Sequence, residues 1–292
     1  MSSAKDRAAQ ISGHVRSGEP AKQSATPRII CEIREHSPGH NVATITFSNP
    51  DKLNVASRQL LEQLIEISTE LGKDENLRAV VLTGAAPTSP KKAPSFIGGA
   101  DIQELNQLSS SEEAREYILR VHDACVAIQN IPVPVIARVH GFALGAGLEL
   151  MAVCDLKIAS KTSKFGMPEP KIGVPSVVEA ALFPSLIGFG RTKRLVYLAE
   201  NIPASQAEQW GLIERVVDDE AALDQGVAEW IDTLVSMGPQ SIRNQKRLMR
   251  KWQFGTVEEG IQAGVDAIAE TYADGGKEAK EYMKPFLGRN KR

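Results

Sequence analysis

Apolar positions change their period several times along this chain, and each change marks an element. "RIICEIREHSPGHNVATITFSNP" alternates apolar and polar residues on either side of a Ser-Pro-Gly turn, which predicts a β-hairpin ending at Pro50. "SRQLLEQLIEISTELGKD" repeats apolar residues at helical spacing from a Ser cap to a stop at Gly72. "RAVVLTG" reads as a buried strand and "SSSEEAREYILRVHDACVAIQNI" as a second capped amphipathic helix. "PVPVIARVHG" predicts a strand with a proline-fixed start, "GLELMAVCD" a short helix, and "LKIAS" and "SKFGMPE" two further strands. From about Pro203 the pattern turns wholly helical. The expected organisation is an α/β core over residues 28–202 and a helical region over 203–292, with no repeat of fixed period.

The first 27 residues break this patterning: they are polar, rich in Ser, Ala, Lys and Arg, and poor in large apolar side chains, which predicts a solvated tail. The same composition faintly resembles a mitochondrial transit peptide, but Asp6 and Glu19 count against it. The last residues, "GRNKR", form no peroxisomal tripeptide.

Composition narrows the function classes. With 292 residues, 42% hydrophobic and 24% charged, the chain can build a sizeable core. A net charge of −2 gives no global attraction for nucleic acid or an anionic membrane, so a phosphate-bearing ligand would need a local basic cluster. Three widely spaced cysteines suggest neither a disulfide framework nor a zinc site. Prolines and the charged or polar Arg138, His140 and Glu149 interrupt the longest apolar run, which argues against a membrane span. A soluble intracellular protein is expected, cytoplasmic by default, with mitochondrion and peroxisome left open.

The stretch "GFALGAGLELMAVCD" (141–155) carries the candidate chemistry. One reading is a dinucleotide fingerprint, but Leu150 stands where its third glycine would pack helix on strand. The other is an oxyanion site: a glycine-rich strand-to-helix turn presents unpaired N–H groups at the positive end of a helix. Ala146 N–H would be the donor, and Glu149 would sit on the first helical turn beside it. A capping acid and a packing turn remain a structural alternative for these residues alone.

Three separated stretches, "SFIGGADIQEL", "PVIARVHGFALGAGLELMAVCDLKIAS" and "KFGMPEPKIGVPS", followed by "GRTKRLVYLAENIPASQAEQWGLIERVV", resemble the crotonase (enoyl-CoA hydratase/isomerase) superfamily over roughly residues 28–290. The resemblance implies a spiral of ββα units with a helical C-terminal trimerisation region. It implies that two backbone N–H groups hold the thioester carbonyl of an acyl-CoA. Those positions are assigned here to Gly98, which precedes Gly99-Ala100-Asp101, and to Ala146. It further implies two catalytic glutamates, Glu149 and Glu169: Glu149 as the base that activates water, Glu169 as the acid that protonates the α-carbon. The implied reaction is hydration of a trans-2-enoyl-CoA to a 3-hydroxyacyl-CoA. Alternatives are another crotonase reaction, such as an isomerase, dehydratase or hydrolase, or a non-catalytic binding protein of this fold.

Lys52, Leu53, Ile97, Ala100, Asp101, Gly145 and Phe286 are expected around the substrate on the same resemblance, Phe286 near a neighbouring subunit's acyl-CoA. Lys91, Lys92, Lys284 and Arg289 are candidate phosphate clamps. No metal and no cofactor are expected, since coenzyme A arrives with the substrate, and the expected assembly is a homotrimer or a dimer of trimers. One segment departs from the family: "PKIGVPSVVEAALFPSLIG" replaces a longer loop running into "GAGGT", with Val177, Val178 and Glu179 at the glycine-rich positions. This predicts a reshaped acyl pocket, and Glu179 is expected to be a surface charge.

Overall fold

The computed structural model describes residues 26–287. The tail, apart from Thr26 and Pro27, and Arg289 lie outside these described residues. Strands β1 (Arg28–Ser37) and β2 (His40–Ser48) form the expected antiparallel hairpin, with Ile29 opposite Phe47 and Ile33 opposite Ala43. Helix α1 (Arg58–Leu71) follows, its Ser57 side chain accepting the Leu60 N–H. Strand β3 (Leu77–Gly84) is buried along its whole length.

From β3 onward the chain repeats one move: a strand in a large sheet, a short strand in a small sheet, then helix or turn. β3 is followed by β4 (Ser95–Ile97) and then α2 (Ile102–Asn106) and α3 (Ser111–Asn130). β5 (Val135–Val139) is followed by β6 (Phe142–Leu144) and α4 (Ala146–Ala152). β7 (Leu156–Ser160) is followed by β8 (Lys164–Gly166) and two 3-10 turns, Glu169–Ile172 and Val178–Leu182. The large sheet has the order β1-β2-β3-β5-β7-β10 and the small one β4-β6-β8-β9, where β9 is Asn201–Pro203 and β10 is Arg215–Val217. Neighbours β3, β5 and β7 are parallel, and so are β4, β6 and β8. This is the ββα spiral that the resemblance implied.

The continuous apolar run of β3 has a simple cause, since a parallel strand covered on both faces needs apolar residues on both. Leu77, Val80 and Leu82 belong to the main core with α1, α3 and α4, whereas Ala79 and Val81 face a second cluster. That cluster is closed by Leu223, Val227 and Leu234 of a later helix.

After β8 come α5 (Phe183–Ile187), α6 (Phe189–Leu198), α7 (Ala204–Trp210) and α8 (Glu220–Ser236), which supplies those three residues. Helices α9 (Pro239–Phe254), α10 (Val257–Thr271) and α11 (Lys277–Leu287) complete the chain. Glu278 of α11 accepts the Gln240 and Ser241 N–H groups at the start of α9, at 3.0 and 2.9 Å, where a helix favours a negative charge.

The region beyond Pro203 is therefore not wholly helical: β10 pairs in parallel with β7 and extends the large sheet. Three residues are too few to show a period, so this strand left no trace in the sequence pattern. Among the described residues, no helix is long and apolar enough to cross a membrane.

Candidate active site

Three adjacent parallel strands of the small sheet deliver the site from their C-terminal ends, the usual place for ligands in parallel sheets. β4 leads into Gly98-Gly99-Ala100, β6 into Gly145-Ala146 and the helix carrying Glu149, and β8 into Glu169. The glycines let these loops come together. A β-carbon on Gly99 would lie 3.2 Å from the Leu144 carbonyl oxygen, and one on Gly147 would collide with the Ile97 carbonyl. Gly145 has φ +51° and ψ −126°, a region that side chains avoid.

Ala146 is the first residue of α4, so its N–H has no intrahelical acceptor. The second donor differs from the expectation. Gly98 N–H is donated to the Leu53 carbonyl at 2.9 Å, so its single proton is already committed. Two residues on, the chain makes a parallel bridge to Ala56: Ala56 N–H donates to Gly99 O, and Asp101 N–H to Ala56 O. A residue flanked in this way turns its own N–H to the opposite side. Ala100 N–H is therefore the uncommitted donor of this loop, and Gly98 instead pins the loop to the Leu53 turn.

Glu149 is buried, with 3% of its surface exposed, and its Oε1 accepts the Ala180 N–H at 3.0 Å. Burial, and secondly the Glu169 carboxylate, push its carboxyl up to about 8, with Glu179 adding to the rise and the Ala180 N–H opposing it. Glu169 is half-buried and accepts the Ser176 hydroxyl at 2.9 Å. Burial raises its carboxyl too, while its own backbone N–H and Ser176 favour the charged form. Both carboxyls are thus pushed toward the neutral form, Glu149 the more strongly because it is the more deeply buried and also meets the Glu169 charge.

The remaining predicted residues fall into two groups. Ile97 is wholly buried under the start of α4, and Asp101 caps α2 by accepting the Gln103 N–H. Leu53 adopts a left-handed backbone, φ +57°, and next to it Lys52 reaches Gln103 at 3.0 Å and Asp101 at 3.6 Å. Lys92 pairs with Asp51 on the same rim, and Lys91 is exposed beside it. Lys284 pairs with Glu281 on α11, and Phe286 is 67% exposed on that helix.

Glu179 corrects an expectation. It is buried rather than on the surface, and its carboxylate meets His122 Nδ1 at 2.6 Å. Val178 before it has φ +40°, an uncommon conformation for a β-branched residue. Sequence reasoning missed Ala180, Ser176 and His122 because none belongs to a motif. A buried acid in "SVVEAAL" is visible only once α3 and α4 are seen to pack on that segment.

Residues 38–291 match the family model described as enoyl-CoA hydratase/isomerase. The sequence is 30% identical to a crotonyl-CoA hydratase of Syntrophomonas wolfei, over 91% of this chain and 97% of that one. It is also 30% identical to a carboxymethylproline synthase of Pectobacterium carotovorum, over 85% and 96% of the two chains. The fold superposes on an enoyl-CoA hydratase of Mycobacterium smegmatis with a TM-score of 0.80 at 28% identity, covering 89% of this chain and 96% of the other. Fold, strand-end loops and sequence agree, and the chain belongs to the enoyl-CoA hydratase/isomerase family of the crotonase superfamily.

Proposed function

We propose that the protein is an enoyl-CoA hydratase, adding water across the trans-2 double bond of an acyl-CoA thioester to give a 3-hydroxyacyl-CoA. The observation that carries this reading is the Glu149/Glu169 pair, two carboxyls both raised by burial beside two uncommitted N–H groups on neighbouring loops. Addition of water needs one group to take a proton and another to give one, and two acids sharing one proton supply both.

The thioester carbonyl accepts from Ala100 N–H and Ala146 N–H, which stabilise the enolate that forms as the β-carbon is attacked. Two buried carboxyls this mutually unfavourable hold one proton between them, and in the substrate complex it is assigned to Glu169, with Glu149 ionised. Glu149, already dry and held by Ala180 N–H, then accepts a proton from the attacking water as its oxygen bonds to the β-carbon. Glu169 delivers its proton to the α-carbon. These are the roles that the sequence resemblance implied for the two acids.

Lys52 and Lys92 are the proposed phosphate partners, and the exposed Ile172, Val174 and Val177 form an apolar rim beside Glu169 for the acyl chain. We assign a homotrimer, or a dimer of trimers, to the exposed apolar residues Val257, Ile261, Val265, Ile268 and Phe286 on the last helices, where water contact is unfavourable. The decisive experiment is incubation with crotonyl-CoA, following the enoyl-thioester absorbance. Its loss, with 3-hydroxybutyryl-CoA as product, is expected; a stable absorbance would refute the reading.

A further inference from the structure

The free N–H of the Gly98-Gly99-Ala100 loop is selected by carbonyls of the Leu53-to-Ala56 segment, so whatever fixes that segment fixes the donor. Gly98 N–H is spent on Leu53 O, and Asp101 N–H on Ala56 O. Leu53 and Asn54 are consecutive non-glycine residues in the left-handed region, at φ +57° and +54°. Most side chains avoid that region, and asparagine is among the few that tolerate it. Such a turn persists only where its surroundings hold it.

The holding group is the Asn54 side chain, which is 1% exposed. Its Oδ1 accepts the Asn49 N–H at 3.0 Å, just beyond β2. Its Nδ2 donates to the Ala85 carbonyl at 2.9 Å, just beyond β3, and to the Ser95 carbonyl at 2.8 Å, at the start of β4. Both amide protons are thereby used, and a reversed amide would set its oxygen against two carbonyl oxygens. A β-carbon on Gly84 would stand 2.6 Å from Nδ2, so that glycine permits the approach. Ala85 and Ser95 also bound the largely exposed stretch that carries Lys91 and Lys92. One carboxamide thus closes that stretch at its base, directly before β4 and the donor loop.

We propose that Asn54 is a positioning residue for the oxyanion donors; this rests on the reading of the site as one for acyl-CoA thioesters. Asn54 holds the Leu53-Asn54 turn against three strand ends, and the turn sets Leu53 O against Gly98 N–H. Ala100 N–H is then left to face the thioester carbonyl. With both amide protons committed, Asn54 acts not on the substrate but through Gly98 and Ala100, where a small displacement weakens the hydrogen bond to the enolate.

The test compares wild type, Asn54→Gly and Asn54→Asp, each verified as folded by circular dichroism, and reads the thioester carbonyl itself. Glycine keeps the left-handed backbone and removes the clamp. Aspartate keeps the shape and the acceptor but, as the neutral acid, only one donor, and it is read instead if the glycine variant does not fold. Infrared difference spectra of bound butyryl-CoA, a saturated thioester ¹³C-labelled at its carbonyl, should show the carbonyl stretch moved to lower frequency in wild type, because two N–H donors polarise it. About half or more of that displacement should be lost in Asn54→Gly, since one of two donors is misdirected. Its kcat on crotonyl-CoA should fall by about 10-fold or more, up to the ~10²–10³ of deleting one donor outright. A smaller folded fraction would lower kcat but leave the stretch of the bound ligand unchanged. A full wild-type displacement in the folded variant overturns the proposal. No displacement in wild type removes the acyl-CoA reading and the proposal with it. A wild type that polarises the carbonyl yet leaves crotonyl-CoA unchanged would fail the hydratase reading alone, and the loss of displacement in Asn54→Gly would still establish the positioning role.

Discussion

The Glu169 carboxylate occupies the space that a β-carbon on Gly145 would need, so the acid is seated by an absent side chain. Gly145→Ala should displace Glu169 and force a side chain into the φ +51° backbone. The expected result is a stability loss of about 1–3 kcal/mol from backbone strain. Hydration should fall with it by about 10²-fold or more, the loss expected of a mispositioned acid. Thermal denaturation and initial rates on crotonyl-CoA check both parts. A wild-type rate would show that Glu169 need not be seated there.

Replacing either acid by its amide removes a proton donor or acceptor while keeping the shape. Glu169→Gln should lower kcat by ~10²–10⁴, the range of general acid–base groups. The double variant Glu149→Gln/Glu169→Gln should lose far less than the product of the two single effects, because the pair acts on one transition state. Equilibrium binding of a saturated acyl-CoA should change little, since the proposed carbonyl donors are backbone groups. Multiplicative losses in steady-state kinetics would show that the two acids act independently.

Burial of Glu149 also has a signature in stability. Its folded-state pKa is raised from 4.5 to about 8, so between those values the unfolded chain binds fewer protons than the folded one at this site. Its contribution is full below the unfolded value and is lost as pH rises through about 8. Glu149→Gln, which cannot ionise, should therefore gain stability over wild type as pH rises from 5 to 9. The gain should be a few kcal/mol at most, because each tenfold change in proton affinity corresponds to ~1.4 kcal/mol. Melting temperatures of both proteins across that range test the sign. A gap that stays constant or narrows would contradict the burial argument.

The exposed apolar residues of α10 and α11 should be covered in solution. Light scattering at micromolar concentration should give a trimer mass or twice it, and Ile261→Asp with Ile268→Asp should lower that mass. A monomer in the unmodified protein would show that these residues face solvent.

The parts legible in the sequence were those with a period or a motif. The hairpin of β1 and β2, the two Ser-capped helices and the glycine turn before Glu149 stand where the patterning placed them. Strands β4, β6, β9 and β10 are three residues each, too short for alternation to register. The Gly98 assignment failed for a related reason: which N–H of a Gly-Gly-Ala loop is free depends on the Leu53 and Ala56 carbonyls some 45 residues earlier, and no local pattern encodes that. Glu179 was misplaced because general tendencies put glutamate outside, whereas α3 and α4 close over this one.

Glu149 is proposed as the base of a water addition rather than a helix-start acid. The most direct measurement is the rate of crotonyl-CoA hydration by folded Glu149→Gln beside wild type, followed by enoyl-thioester absorbance. As a base, Glu149 is irreplaceable by an amide, so wild-type turnover should be measurable and should fall by ~10²–10⁴ in the variant. Near-wild-type hydration by folded Glu149→Gln would contradict it.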